Sequence, residues 1–402
     1  MPLRLTKILL LCLALAGLFC MARVNFNLGS GLLLSAAALA LYILPWKLDP
    51  LTERKLKRFR DIKRGYYSFI FLVALAILSL FAELFANGRA LVVKYDGDYF
   101  FPTYSSTQLG HTFGLTGRDA NSPVNYRNLR EHFREQDNGN WVIMPIIPYS
   151  PNENITYDGI LRPQPPSWEH QHYLGTDSTS RDILSRLIYG FRIAIYFSLA
   201  FMLMVYLIGI AVGCLMGYFG GWFDLLVQRM IEIWSLVPFI YIVIIIFSVV
   251  PTGFSVGTRI GILLLIMVLF SWTGMTYYMR TATYKEKARD YTAAAQVIGA
   301  STARIIFHHI LPNAVSTLVT FMPFTLAAAV TSITALDFLG FGLPPPTPSI
   351  GEILKQGTAR LDGAPWIVTS AFFALVFILT LVTFVGEAVR EAFDPRKFTL
   401  YR

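Results

Sequence analysis

The sequence predicts an all-α membrane protein that crosses the bilayer several times and carries one large domain outside it. Three observations support this fold class: 54% of the 402 residues are hydrophobic, the mean hydropathy is +0.52, and long apolar runs follow one another along the chain. A hydrocarbon core of about 30 Å needs a run of about 20 apolar residues, which ordinary soluble domains lack.

Eight apolar runs are long enough to be transmembrane helices at a rise of about 1.5 Å per residue. They lie at about 5–22, 28–46, 66–86, 190–217, 225–250, 258–283, 314–339 and 366–388. The first run follows Arg4 and Lys7, as a secretory signal would, but a second run begins almost at once and no convincing cleavage site precedes soluble sequence. Residues 1–46 are therefore predicted to form a transmembrane hairpin.

The net charge of +9 is concentrated beside the apolar runs. One short segment carries eight basic residues: Lys47, Arg54, Lys55, Lys57, Arg58, Arg60, Lys63 and Arg64. Short loops rich in Lys and Arg stay in the cytoplasm, so this segment, the loop 284–313 and both termini are predicted to be cytoplasmic. The charge therefore indicates topology, and no nucleic-acid partner is expected.

The long polar segment 87–189 is predicted to be a small domain outside the membrane. Its acidic and basic residues nearly balance, and long loops are exempt from the charge rule. Two β-rich runs flank Asp96-Gly97, a pair typical of a two-residue hairpin turn. Mixed, mostly irregular and β structure is expected there.

Two sequence motifs of common enzymes are absent from the chain. It has no GxxxxGK[ST] phosphate loop and no HExxH, so energy for any transport would come from another chain or an ion gradient. No acidic residue or histidine lies convincingly at mid-span, which disfavours a proton-coupled transporter. Cys12, Cys20 and Cys214 fall in apolar runs without metal-ligand spacing and are expected to be buried hydrophobes.

Few polar residues lie within the predicted spans. Arg229 and Glu232, near Asp224, are three residues apart and can pair on one helix face, which favours a structural ion pair at a membrane boundary. The candidates for a translocation path are small and polar: Thr331, Ser332 and Thr334. Packing between helices explains these three equally well.

The segment YTAAAQVIGASTARIIFHHILPN, residues 291–313, has the pattern of two short helices joined by a turn. Ala294, Ala295 and Gly299 give the first helix small residues that another surface can approach closely. Gly299 accepts left-handed backbone geometry, and Ser301 can cap the second helix.

Two interpretations of this segment stay open on physical grounds: a knob that docks a partner protein, and an amphipathic helix that rests on lipid. Ile305 and Ile306 are expected to give the second helix an apolar contact surface, and Pro312 suits the first turn of the next span. His308 and His309 point about 100° apart on a helix and lack a third ligand, so a capping or interfacial role is expected.

The same residues resemble the cytoplasmic EAA loop of the permease subunits of binding-protein-dependent ABC importers. The loop pattern EAAx3Gx9IxLP is matched at Ala294, Ala295, Gly299, Leu311 and Pro312. Ala293 replaces its glutamate and His309 its isoleucine, changes that the peptide-importer branch commonly tolerates.

Further segments resemble that branch, in order, along residues 55–397. GTDSTSRDILSR is similar to its GTDxxGRDxxSR signature, with Ser180 in place of the last glycine. DLLVQRMIEIWSLVP is similar to its Dx4Rx2[DE] run, and LDFLGFGLPPPTPSIGEIL to the segment after its fifth core helix. KYDGDYFFP and the outside domain are most similar to the microcin C/oligopeptide (Yej-type) importers. Residues 1–46 match nothing in the resemblance.

The resemblance implies a six-helix type I ABC importer permease core, to which a hairpin and an insertion are added. The implied regions are the hairpin 1–46, the basic segment 47–65, the first core helix 66–86, the periplasmic insertion 87–189, the five-helix core 190–390 and the cytoplasmic tail 391–402. It also implies the bacterial inner membrane as location and a transport role instead of an enzymatic one. The rival hypothesis is a secondary transporter or a stand-alone membrane enzyme.

The implied partners are a second, different permease subunit, ABC ATPase domains in one chain or two, and a periplasmic substrate-binding protein, with a peptide as substrate. No cofactor is expected in this chain, because ATP and magnesium would bind the ATPase. The loop 284–313 would be the coupling helix that seats in a groove of the ATPase. Its expected residues are Tyr291, Ala294, Ala295, Gly299, Ala300, Ile306 and Pro312.

Overall fold

The computed structural model describes residues 14, 16–18, 20–21, 26–43, 50–136, 138–156, 159, 162–251 and 253–393. Most of the first predicted span, 5–22, and residues 394–402 of the predicted tail therefore lie outside the described residues. The chain divides into two compact units, of which the first comprises 1–48, 73–193 and 345–375. The second comprises 49–72, 194–344 and 376–402.

Helices dominate the described part of the chain. They are α1 Phe26–Ile43, α2 Pro50–Asp61, α3 Lys63–Leu80, α4 Ala82–Phe85, α5 Tyr126–Gln136, α6 Ile183–Phe219, α7 Gly221–Ser235, α8 Phe239–Val249, α9 Val256–Lys287, α10 Asp290–Val297, α11 Thr302–Arg304, α12 Leu311–Val319, α13 Met322–Leu339, α14 Ile350–Thr358 and α15 Pro365–Phe393. Among these, α3, α6, α9, α13 and α15 are long and apolar enough to cross a membrane, and α7 with α8 forms a bent sixth candidate. The prediction of a helical, polytopic fold is confirmed.

Two of the predicted spans are interrupted in the structure, each at a proline. The predicted span 225–250 consists of α7 and α8, which meet at 68°. Pro238 explains this break, because its ring cannot donate a backbone hydrogen bond and disfavours helical geometry at Val237. The predicted span 314–339 divides between α12 and α13, with Pro323 in the first turn of α13.

The predicted insertion contains a three-stranded antiparallel sheet in the first unit. Its order is β2-β1-β3, with β1 Val92–Tyr95, β2 Asp98–Phe100 and β3 Trp141–Ile143. Asp96 and Gly97 join β1 to β2 with φ values of +50° and +90°, so the predicted hairpin is confirmed.

A helix in the insertion, α5, is not among the sequence predictions. Leu129 and Phe133 from this helix pack with Val93 and Phe113 in a small core that is almost fully buried. The Asn125 side chain accepts a hydrogen bond from the backbone N–H two residues on and caps the helix. The spacing of Tyr126, Leu129 and Phe133 was a readable helical signal.

The core of the second unit joins residues of α6, α8, α9, α12 and α13. Gly209, Gly213 and Gly217 lie on one face of α6, four residues apart, against α9. A Cβ atom at Gly213 would lie 2.5 Å from the carbonyl oxygen of Thr276, so only glycine permits this approach. Small residues thus bring two long helices together, as in other membrane bundles.

Candidate functional site

The elbow, residues 290–310, connects α9 to α12. Its first helix, α10, ends in a Schellman arrangement: the Ala300 N–H donates to the Ala295 carbonyl, and the Gly299 N–H to the Gln296 carbonyl, both at 3.0 Å. Gly299 has a φ of +84°, a conformation that glycine adopts without steric cost. The predicted turn at Gly299 is therefore confirmed.

The second helix of the elbow, α11, begins at a side-chain cap. The Ser301 hydroxyl accepts a hydrogen bond from the Arg304 N–H at 3.4 Å, as predicted. A π-helical turn, Ile305–Ile310, follows and leads directly to Pro312. Proline has no N–H for the His308 carbonyl and its ring would clash with that carbonyl in a regular helix, which accounts for the wider turn.

Tyr291 links the elbow to both neighbouring helices. Its hydroxyl donates to a Glu286 carboxylate oxygen at 2.6 Å, and the Asn313 amide donates to the hydroxyl at 3.2 Å. Partial burial and this carboxylate raise the pKa of the Tyr291 hydroxyl, so it remains a donor. The Asn313 amide also donates to the His309 carbonyl at 2.8 Å. Within the described residues, no group of three His, Cys, Asp or Glu side chains is placed to hold a metal ion.

The two sides of the elbow differ sharply in exposure. Val297 and Ile298 are 88% and 85% exposed, next to the exposed Ala294 and Gly299. Large apolar side chains so exposed beside a glycine turn form a surface that another protein can contact. Sequence reasoning missed Val297, although its position between the alanines and the glycine was visible.

The inner side of the elbow corrects three sequence expectations. Ala295, Ile305 and Ile306 are buried within the chain, Ala295 and Ile305 together with Ile310. They were expected to contribute to the contact surface. Both isoleucines belong to the π turn and are buried in the core, so these residues support the elbow from inside.

An ion pair lies at the base of the elbow, between α7 and α9. The Asp224 carboxylate accepts hydrogen bonds from the Arg280 guanidinium at 2.5 and 2.6 Å and from the Tyr284 hydroxyl at 2.7 Å. Lys287 at the end of α9 donates to the Tyr218 carbonyl of α6. These contacts fix the end of α9 from which the elbow departs.

A second ion pair on α7 confirms an expectation from the sequence. Arg229 Nη1 lies 2.5 Å from a Glu232 carboxylate oxygen, as the spacing predicted. Asp224, however, pairs with Arg280 and not with Arg229. The sequence distance between Asp224 and Arg280 hid this pairing.

The three candidate path residues lie in different surroundings on α13. Thr331 is exposed, Ser332 is half-buried, and Thr334 is buried. The Thr331 and Thr334 hydroxyls donate to the carbonyls of Ala327 and Val330 in their own helix. Thr334 therefore packs inside the chain and lines no surface of it, whereas Thr331 is accessible.

Ser180 explains why the signature segment tolerates a departure from glycine. Its φ is +60°, the left-handed conformation that glycine favours. The buried Ser180 hydroxyl donates to the Arg162 carbonyl at 2.7 Å. This hydrogen bond offsets part of the conformational cost, so a serine occupies the position.

The same signature segment builds a buried charge network with α14. Arg186 is fully buried and contacts Asp177 and Glu352, while Arg181 lies 2.8 Å from Asp177 and 3.1 Å from Glu352. Two cations thus meet two carboxylates, which satisfies charges that would be costly to bury alone. The network holds the segment that precedes α6 against α14.

Comparison with known proteins places these features in one family. Residues 209–399 match the family described as binding-protein-dependent transport system inner membrane component. This stretch contains α7 to α15, and so it contains the elbow and both ion pairs of α7.

Full-length relatives agree with this match. The chain is 39% identical over 382 residues to the peptidoglycan transport system permease protein YejE of Agrobacterium fabrum, covering 88% of this chain and 95% of that protein. It is 39% identical over 354 residues to the inner membrane ABC transporter permease protein YejE of Escherichia coli, covering 87% of this chain and 99% of that protein. It is 31% identical over 255 residues to the dipeptide transport system permease protein DppC of Haemophilus influenzae, covering 62% of this chain and 83% of that protein. The chain therefore belongs to the inner-membrane permease subunits of peptide-type ABC importers, in the Yej-type branch.

Proposed function

We propose that this permease moves peptides or peptide-like compounds, peptidoglycan-derived peptides among them, from the periplasm to the cytoplasm. The observation that carries the proposal is the 39% identity to two YejE proteins over nearly their whole length, one of them named for peptidoglycan transport. The likeness to a dipeptide permease supports the same substrate class. Transport would be driven by ATP hydrolysis in a partner chain.

The elbow is the proposed contact with the ATPase. Three features support this role: the exposed apolar pair Val297 and Ile298, the glycine turn beside it, and the buried side that keeps the elbow rigid. A rigid element that contacts a partner differently in two states can transmit the partner's motion. Closure of the ATPase would then alternate access to the two sides of the membrane.

The orientation and the remaining partners belong to the same proposal. Both termini and the basic helix α2 would lie in the cytoplasm, and the insertion in the periplasm. A second, different permease subunit would complete the translocation path, and Thr331 is an accessible candidate for its lining. A periplasmic substrate-binding protein would deliver the peptide and contact the insertion.

Uptake by a strain that lacks the gene tests the proposal. The labelled panel comprises short peptides, longer peptides and a peptidoglycan stem peptide, with the gene restored on a plasmid as control. We expect uptake of at least one peptide class to fall in the deletion strain and to return with the plasmid. Unchanged uptake of every class would contradict the proposed function.

A further inference from the structure

The exposed side of α7 has an apolar half and a half that carries an ion pair. The apolar half carries Phe223, Leu226 and Met230, three exposed side chains with the spacing of one helix face. The other half carries Arg229 and Glu232, whose side chains are 76% and 39% exposed. Since α7 and α8 together form a candidate span, the two halves are suited to different surroundings in a membrane.

Lipid is a poor environment for the charged half of α7. Arginine and glutamate inside a membrane are costly unless they face protein or water. The apolar half meets no such restriction. The charged half is therefore directed to the interior of the assembled transporter, and the apolar half is the one suited to lipid.

The geometry of the ion pair leaves the arginine available to a further acceptor. Glu232 uses both carboxylate oxygens, one for Arg229 Nη1 at 2.5 Å and one for the Gln228 amide at 3.1 Å. A guanidinium has five N–H donors, and the large exposure of the Arg229 side chain leaves several of them accessible. The carboxylate is thus held in place while the guanidinium is presented outward.

The break between α7 and α8 gives an independent reason to place water beside this face. The helical hydrogen-bond ladder ends at Leu236 and Val237, which form tight-turn bonds to Ile233 and Trp234 before Pro238. Interrupted backbone at membrane depth is tolerated where it is buried in protein or lines a water-filled cavity. Leu236 is largely exposed on this chain, so the break is not covered by the chain's own side chains.

We propose that Arg229 lines the translocation path and binds carboxylate groups of the passing substrate, while Glu232 and Gln228 position it. The inference rests on the proposed peptide transport and adds a substrate-contacting residue to it. A guanidinium binds a carboxylate through two parallel hydrogen bonds, and every peptide with a free carboxyl end carries that group. Glu232 orients the guanidinium but occupies only part of its N–H donors.

Thiol labelling tests whether the path is lined at this position. Arg229→Cys and the adjacent Met230→Cys are made without Cys12, Cys20 and Cys214, in the complete importer with its partner subunits in membrane vesicles. A charged, water-soluble thiol reagent requires an ionised thiol, which lipid disfavours. We expect position 229 to react about tenfold faster than position 230. Equally slow reaction at both positions, as in a closed subunit interface, would overturn the proposal.

Uptake tests the carboxylate contact itself. Two peptides that the wild type takes up, and that differ only in a carboxylate or a carboxamide, are compared in Arg229→Gln and Arg229→Lys. We expect Arg229→Gln to lower uptake of the carboxylate peptide about tenfold while uptake of the carboxamide changes little, with Arg229→Lys intermediate. Equal loss for both peptides would indicate a structural role and contradict the proposal. If the wild type took up no peptide, the proposed function would be refuted instead. The labelling experiment would still show whether position 229 lines a water-filled path, because it does not depend on peptide uptake.

Discussion

The Asp224 carboxylate accepts hydrogen bonds from Arg280 at 2.5 and 2.6 Å, which joins the first turn of α7 to the end of α9. Only 4% of Asp224 is exposed, and the Tyr284 hydroxyl donates to the same carboxylate. The elbow leaves α9 a few residues after Tyr284. This pair therefore holds the end of α9 from which the elbow departs, below the surface that would contact a partner.

Breaking this pair is expected to destabilise the permease. Asp224→Asn leaves the Arg280 cation without its counter-charge, and because Arg280 is partly exposed we expect a loss of about 1–3 kcal/mol of unfolding free energy. Thermal unfolding of the purified importer measures it. Glu387→Gln is the matched control, because it breaks the exposed pair with Arg64 and should cost less than about 0.5 kcal/mol. Equal effects of the two variants would contradict the structural role of Asp224.

Substitutions at Gly299 separate backbone conformation from surface charge. A Cβ atom there would meet no heavy atom within 4 Å, so the cost of a side chain comes from the φ of +84°. Asparagine tolerates this conformation, so Gly299→Asn should retain uptake. Gly299→Asp should insert normally yet weaken ATPase docking and uptake. Copurification of the ATPase and peptide uptake are the readouts, and normal values for Gly299→Asp would remove Gly299 from the interface.

The exposed and buried isoleucines of the elbow should respond in opposite ways. Ile298→Ser removes an exposed apolar side chain, so the unfolding free energy should change by less than about 0.5 kcal/mol while ATPase copurification falls. Ile305→Ala leaves a cavity in the core and should cost about 2–5 kcal/mol. If Ile298→Ser bound the ATPase as the wild type does, the exposed pair would not be the docking surface.

Ser180 variants test the account of the left-handed turn. Ser180→Gly relieves the strain of φ +60° but loses the hydrogen bond to Arg162, so the two effects should cancel to within about 1 kcal/mol. Ser180→Val keeps the strain, adds a branched side chain and should destabilise by more than about 2 kcal/mol. Thermal unfolding distinguishes the two. A valine variant as stable as the glycine variant would refute the argument.

Local signals in the sequence were sufficient to predict the backbone turns of the elbow and of the hairpin. Gly299, Ser301 and the Asp96-Gly97 pair each prescribe a backbone geometry by their own chemistry, and the structure has that geometry at each. Pro238 is a signal of the same kind, because proline disfavours a continuous helix. The break there was nevertheless missed, because the apolar run continues through the proline.

Contacts between distant residues could not be read from one sequence. Asp224 was grouped with its neighbour Arg229, whereas its partner Arg280 lies on another helix. The burial of Ala295 and Ile305 depends likewise on how α10 packs against the π turn, which no local pattern specifies. Sequence patterns therefore located the candidate site, and tertiary packing decided which of its residues are accessible.

Photocrosslinking from Val297 tests the central claim most directly. A photoreactive residue replaces Val297, which is 88% exposed, in growing cells, and the same residue replaces the exposed, lipid-suited Met230 as a control. The account predicts a crosslink from position 297 to an ABC ATPase chain and none to that chain from position 230. Crosslinks from position 297 to lipid alone, in cells that contain the ATPase, would contradict the coupling role of the elbow.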